Sequence, residues 1–411
     1  MAISNGVNNY GGGMGGVNRA YAVINSLYQQ ATGDTSLTAV DASTFVSVAQ
    51  KLQQVGYDPV LNAITQVLER TIFAVRPYQP KFGVLEADAQ RFGAITRKLN
   101  IADYSFESGT EFDLTDGQSV DMFRFKKADV LEFNIYGSNA FQLQQPSITR
   151  GQLRVAFSSP EELDRFWGMV TQNAYDQIAQ AKESMARATV ANVVNGLVAA
   201  KAASVTGANV VNLLQAYYDE TGVELTPTTY AAPSNFPAFA RWCDGYFNQQ
   251  KRMLSERSYI YHINVTDHEI GRHTPEDRLV ALMYSPFIES VKSQVATVNF
   301  NDSYFNLPNY ETVNFWQSIE TPDTIKSDPC YLKNDGKIDK GSTTTTAHVI
   351  GVMMDRDAAG YSVCDEWVGV SPMDAKGGYT NVFYNFRIKY WNDFTENAIV
   401  YVLDTVTVPE T

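Results

Sequence analysis

The sequence predicts an α+β protein in which helices and strands occupy separate stretches of the chain. Three observations predict it. SPEELDRFWGMVTQNAYDQIAQAKESMARATVANVVNGLVAAK, from Ser159 to Lys201, keeps a helical pattern over about forty residues without a stop signal. FRFK, with Phe123 and Phe125 against Arg124 and Lys126, VLEFNIY and the stretch around FRIKY alternate apolar and polar residues at period two, as half-buried strands do. AIVYVL, near the C-terminus, is a short continuous apolar run of the kind that forms a fully buried strand. With 411 residues, 44% of them hydrophobic and 19% charged, the chain is a globular protein with room for roughly two or three cores.

Taken in order, residues 1–75 open with a Gly/Asn-rich tail and continue as short helices in series. Val17, Tyr21, Ile24 and Tyr28 share one helical face, and the same period recurs after residue 41 around a break at Gly56 and Pro59. A strand is expected at about 93–106 and a return strand at about 129–145, where Leu131, Phe133 and Ile135 alternate with Glu132 and Asn134. The polar, turn-rich ESGTEFDLTDGQSVD between them makes this a long hairpin whose tip has too little apolar surface to pack on its own domain. The long helix then starts at a clear signal: Ser159 as N-cap, Pro160 at the first helical position and Glu162 completing a capping box. At ~1.5 Å per residue it extends about 60 Å. Leu163, Phe166, Val170, Ala174, Ile178, Ala181 and Met185 keep one stripe, with Glu161–Arg165 and Glu183–Arg187 as solvent-side pairs. After Ala188 the apolar face moves to Val190, Val193, Val194, Leu197 and Val198, and with Gly196 this predicts a bend or a loosened end.

Residues 207–375 are mixed. GANVVNLLQAYYDETG and NFPAFARWCDGYFNQQKRMLSE read as helices, and HTPEDRLVALMYSPFIESV as a third, with Thr274 as cap, Pro275 at its first position and Asp277 near its third. YIYHINV and AHVIGVMMD read as strands. In the last segment Phe386, Ile388 and Tyr390 oppose Arg387 and Lys389, followed by AIVYVL, strands that could return to the first sheet.

Composition narrows the chemistry. No stretch approaches the ~20 apolar residues of a membrane span, and the start carries neither a basic n-region nor an apolar h-region, so residence in the cytoplasm is expected. Cys243, Cys330 and Cys364 are widely spaced and read as free thiols. A formal charge of −13 argues against sequence-specific nucleic-acid binding, and no basic run is longer than the pair Lys126 and Lys127. Gly11, Gly13 and Gly16 match G-x-G-x-x-G, but the motif needs a strand before it. His262, His268 and His273 lack the spacing that puts two rings on one helix face and read as loop residues. No catalytic, cofactor-binding or metal-ligating residues are assigned.

The order of parts resembles the major capsid proteins of tailed bacteriophages with the Hong Kong 97-type fold, and its hairpin-to-helix spacing is similar to that of small podovirus capsid proteins. The residues carrying the resemblance are FGAITRKLNIADYSF with KKADVLEFNIYGSNAFQLQQPSITRGQLRVAF, the helix beginning SPEELDRFW, and AHVIGVMMDRDAAGYSVCDEW, with Asp355 and Asp357, leading into FYNFRIKYWNDFTENAIVYVL. It covers most of residues 75–404. The resemblance implies an N-terminal arm (1–75), a peripheral domain (76–206) with an extended loop at about 93–146 and a spine helix at about 160–200, an axial domain (207–380), and return strands with a tail (381–411).

It further implies a non-enzymatic shell protein, assembling as pentamers and hexamers into an icosahedral head around double-stranded DNA contacted non-specifically. A separate scaffolding protein and a portal protein are the implied partners, no membrane is involved, and assembly is expected in the host cytoplasm with the virion capsid as destination. Contacts between subunits are expected at Glu111, Asp116, Arg124, Lys126, Lys127, Glu161 and Arg165. A Lys–Asn pair of the kind that cross-links some family members is not identified. Two other readings remain: an encapsulin-type shell of the same fold, and a nucleotide-binding cytoplasmic enzyme using the Gly-rich start.

Overall fold

Ser159 does start a helix. Its Oγ accepts the Glu162 N–H at 3.3 Å, and the helix then runs unbroken from Pro160 to Ala202. The computed structural model describes residues 16–55, 59–60, 63, 81–87, 97–103, 115–116, 118, 123, 130–134, 137–144, 148–298 and 310–407. The described parts of Met1–Pro80, Ser138–Lys182 and Val363–Ile388 form one compact unit, and those of Lys81–Gly137, Glu183–Ser362 and Lys389–Thr411 form a second. These limits differ from 75, 206 and 380, the expected domain boundaries. The long helix itself contributes to both units.

In the first unit α1 (Gly16–Thr32) and α2 (Ala42–Val55) pack as a pair. Asn25 fixes their connection, donating to Ala39 O at 3.0 Å and accepting from Ala39 N at 2.6 Å. Asp41 caps α2: its carboxylate accepts from Thr44 N, Ser43 Oγ and Thr44 Oγ1, each at 2.8 Å, which holds its pKa at about 2. Ile24, Leu27, Phe45, Val48 and Leu52 join Leu153, Phe157, Leu163, Ala174, Val382 and Tyr384 in one core. α1 and α2 therefore contribute side chains to this core.

The second unit is built on a five-stranded sheet of β5 (Val210–Asn212), β16 (Ala398–Val402), β12 (Val349–Asp355), β6 (Leu279–Tyr284) and β7 (Tyr310–Val313), in that order. β12 pairs antiparallel with β16 and β6, while the flanking pairs β16–β5 and β6–β7 are parallel. Every residue of β12 and β16 is buried, which explains their continuous apolar sequences. Helices Leu213–Thr221, Phe236–Ser255 and Ser285–Val298 supply Leu214, Tyr217, Phe239, Phe247, Phe287 and Ile288 to the core beside Met353, Ile399 and Tyr401.

Several expectations are corrected. HTPEDRL is not a helix start: LVALMY is strand β6, and the helix begins at Ser285. Thr274 instead donates to the buried Asp355 carboxylate at 3.0 Å. YIYHINV forms no regular strand, only an isolated bridge at Val265, with another at Ser258 just before it. VVN, read as the start of a helix, is β5, and Asn212 caps the helix after it by accepting Leu214 N–H at 3.1 Å. The return strands diverge: β15 (Val382–Asn392) lies between β13 (Ala359–Val370) and β3 (Gly137–Gln144), whereas β16 joins the five-stranded sheet.

Nor does Gly196 break the helix, which stays regular to Ala202. A Cβ there would lie 2.6 Å from Phe394 Cζ, so glycine is needed for the close approach of that ring. The shift of apolar face after Ala188 marks the part of the helix buried in the second unit, where Val190, Val193, Val194 and Leu197 are all core residues.

Candidate assembly site

The hairpin exists at its root. β1 (Arg97–Ile101) pairs antiparallel with β2 (Val130–Asn134), Lys98 opposite Phe133 and Ile101 opposite Val130. The expected return strand is two elements, β2 here and β3 in the sheet with β15. Most of the tip lies outside the described residues, and Asp116 in it is exposed in a turn; just beyond it Phe123, expected in a half-buried strand, is 84% exposed in a turn.

What fastens this ribbon is polar. Lys98 Nζ donates to the carboxylates of Asp393 and Glu396 and, at 3.0 Å, to Thr395 Oγ1. Arg272 pairs with Glu396 at 3.5 Å. Burial raises the Glu396 carboxyl above the ordinary range, against the opposing pull of Lys98 and Arg272. Just beyond β1, Asp103 accepts from Arg257 Nη2 at 2.6 Å, Gly271 N at 2.7 Å and the Tyr259 hydroxyl at 2.9 Å, while its own N–H donates to Glu269 O at 3.1 Å. Burial works to raise this carboxyl, but those donors outweigh it and hold Asp103 below the usual carboxylate range.

The two seats are one structure. Ile263 N–H donates to Phe394 O and Ala398 N–H to Tyr261 O, both at 2.9 Å. Between them His262 is buried, its Nε2 donating to Ile270 O at 2.7 Å and its Nδ1 lying 3.0 Å from Asn397 Oδ1. Burial lowers its pKa, and the histidine packs inside the loop that carries it. The YWND segment explains how the seat is held. Trp391 lies against Gly360 and donates to Asp357 O at 3.2 Å, Asn392 donates to Thr189 O at 2.9 Å, and Asp393 takes Lys98.

The second half of the long helix grips its surroundings in the same way. Asn192 binds both backbone groups of Cys330, accepting its N–H at 2.9 Å and donating to its carbonyl at 3.3 Å. The fully buried Asn195 donates to Ser327 Oγ at 2.8 Å and Thr344 O at 3.0 Å, and accepts from Thr346 Oγ1 at 2.8 Å. Glu183 and Arg187 do pair, at 2.7 Å, but as a largely buried pair and not on the solvent side. Arg187 stacks on the Phe315 ring at 4.1 Å and the Phe82 ring at 5.0 Å, and donates to Phe315 O and to Trp316 O.

Of the expected contact residues, Glu111, Arg124, Lys126 and Lys127 lie outside the described residues. Glu161 is exposed in the first helical turn, and Arg165 pairs with Glu162 at 3.0 Å instead of with Glu161. Lys98, Asp103, Asp393 and Glu396 were not singled out from sequence. The only local signal was the pair of period-two strands around Lys98 and the polar DFTE turn, and neither names its partner. Among the described residues no group of His, Cys, Asp and Glu is placed to hold a metal ion, and no helix is long and apolar enough to cross a membrane. Of the glycine motif, Gly11 and Gly13 are outside the described residues and Gly16 opens α1.

The structure is similar to one of the head fiber and inner core protein gp22 of native bacteriophage P68, with 9% identity, 79% of this chain and 84% of that chain covered, and a TM-score of 0.50. It is also similar to the capsid structure of Staphylococcus phage Andhra (9% identity, 77% and 82% covered, TM-score 0.48) and to that of the Cyanophage P-SCSP1u (13% identity, 80% and 91% covered, TM-score 0.44). No curated protein matches the sequence. The expected α+β, Hong Kong 97-like capsid fold is met at the level of overall architecture. The family description "Phi29-like phage major capsid protein" matches residues 22–402. The chain belongs to the Phi29-like phage major capsid protein family, and is thus a structural, non-enzymatic subunit of a homo-oligomeric virion shell.

Proposed function

We propose that the chain forms the pentamers and hexamers of an icosahedral head enclosing double-stranded DNA, and that the hairpin beyond β1 and β2 lies over a neighbouring subunit. The observation that carries this is the hairpin itself: a two-stranded ribbon with Phe123 84% exposed near its tip. Such a ribbon is marginal in water, and an exposed aromatic on it gains from cover by another chain. Contacts that repeat head to tail and close generate rings. Many modest contacts then hold a shell.

On this reading residues 1–75 serve as the arm, 76–206 with 381–404 as the peripheral domain and 207–380 as the axial domain. Glu111, Asp116, Arg124, Lys126, Lys127, Glu161 and Arg165 take part in contacts between subunits. Assembly takes place in the host cytoplasm with a separate scaffolding protein and a portal protein, and the packaged DNA is touched without sequence preference. A formal charge of −13 suits a wall that must let its genome slide.

The test is removal of residues 108–121, followed by electron microscopy of the assembly products. A folded subunit that assembles poorly is expected. Normal-sized stable shells from the truncated chain would sink the proposal.

A further inference from the structure

Among the described contacts, the root of the hairpin is held at two points, one on β1 and one just beyond it. Lys98 enters the seat formed by Asp393, Thr395 and Glu396, and Asp103 enters the seat formed by Arg257, Tyr259 and Gly271. Between them Ile101 is 53% exposed, so this part of the strand is not sunk into a core. The seats are tied to each other through Ile263–Phe394 and Arg272–Glu396, and Phe394 rests against Gly196 of the long helix. The receiving surface is therefore fixed, while among the described contacts the ribbon is attached through the Lys98 and Asp103 side chains and the Asp103 N–H to Glu269 O, polar bonds that water can replace.

We propose that Lys98 and Asp103 form a two-point latch, from which the β1–β2 ribbon lifts by local opening while the five-stranded sheet stays folded. Either point, when released, leaves the other as a pivot, so the ribbon has two partly attached positions as well as the seated one. The points differ in character. Arg257 is 60% exposed at its side chain, so the Asp103 point is open to salt, whereas the Lys98, Asp393 and Glu396 side chains are 18%, 2% and 11% exposed and are shielded from it. Rising ionic strength then frees the Asp103 end first and leaves the ribbon pivoting on Lys98. The latch concerns only the root, so it stands or falls separately from what the hairpin tip touches.

The test is hydrogen exchange on the full-length chain, following peptides over 97–103 and 130–134 against 279–284 and 349–355, at low and high salt. Lys98→Met and Asp103→Asn should each speed exchange at the root several-fold, and the double variant by about tenfold or more, with the five-stranded sheet unchanged. High salt should speed the root of the unmodified chain and of Lys98→Met, and add little to Asp103→Asn. Wild-type protection in the double variant, or equal loss in the five-stranded sheet, would overturn the latch. The salt series on the unmodified chain tests it even if a variant does not fold: no effect at the root, or an equal effect in the sheet, counts against it.

Discussion

The five-stranded sheet and the hairpin root belong to the same compact unit, yet they are held by different forces. β12 and β16 are buried along their whole length, and Val352, Met353, Ile399 and Tyr401 have no measurable exposure. Burying such side chains stabilises by roughly 1.5–3 kcal/mol each and has no preferred direction. The β1–β2 ribbon instead meets its seat through Lys98 and Asp103, charged groups whose bonds are directional but are exchanged for bonds to water. The contrast teaches a division of labour: apolar burial makes the part of a shell subunit that must not change, and polar clasps hold the part that must settle against others.

Substitutions can break or sharpen that contrast. Ile399→Ala, in the centre of the sheet, should lower unfolding free energy by about 2–5 kcal/mol in a urea titration, since it empties a site with no exposed wall to collapse from. Gly196→Ala sits where the two regimes meet. Overpacking Phe394 costs about 1–3 kcal/mol, partly offset by about 1 kcal/mol of helix propensity. It should disturb the hairpin root in hydrogen exchange more than it lowers global stability, because Phe394 lies in the turn that carries Asp393 and Glu396. A purely global effect would show that the seat is not rigid.

Smaller effects follow at the polar sites. Asp103→Asn should leave the urea midpoint close to wild type, within the ~1 kcal/mol expected of a partly exposed pair, while changing exchange at the root. The cap at Asp41 offers the mildest test. Its folded pKa of about 2 lies below the ordinary carboxylate value, so its stabilisation is present above about pH 4 and is lost as pH falls toward 2. Asp41→Asn should therefore flatten the acid limb of thermal stability without moving the neutral melting temperature much. An unchanged acid limb would place the acid sensitivity elsewhere.

Local chemistry was legible wherever it was self-contained. Ser159-Pro160 with Glu162 announced the long helix, NFPAFARWC the helix from Phe236, and the alternation of Phe386, Ile388 and Arg387 the strand β15. HTPEDRL misled because Thr-Pro-x-Asp is as good a turn as a helix start, and the apolar LVALMY after it was committed to a central strand by its neighbours β12 and β7. YIYHINV carries strand-forming residues, but Tyr259 is taken by Asp103 and His262 by Asn397 and Ile270, so its polar groups are satisfied without a ladder.

The sequence by itself determined the α+β class, the length of the central helix, the two amphipathic helices α1 and α2 and the hairpin, because periodicity and capping act within a few residues. Only the tertiary structure decided that β16 belongs to the five-stranded sheet, that Gly196 is a contact surface for Phe394, and that Lys98 meets Asp393 and Glu396. These are pairings between residues about 50 to 300 positions apart along the chain. A charged side chain in sequence carries no sign of which distant carboxylate it will meet; that choice is made when the apolar strands pack and leave one place where the charge is matched.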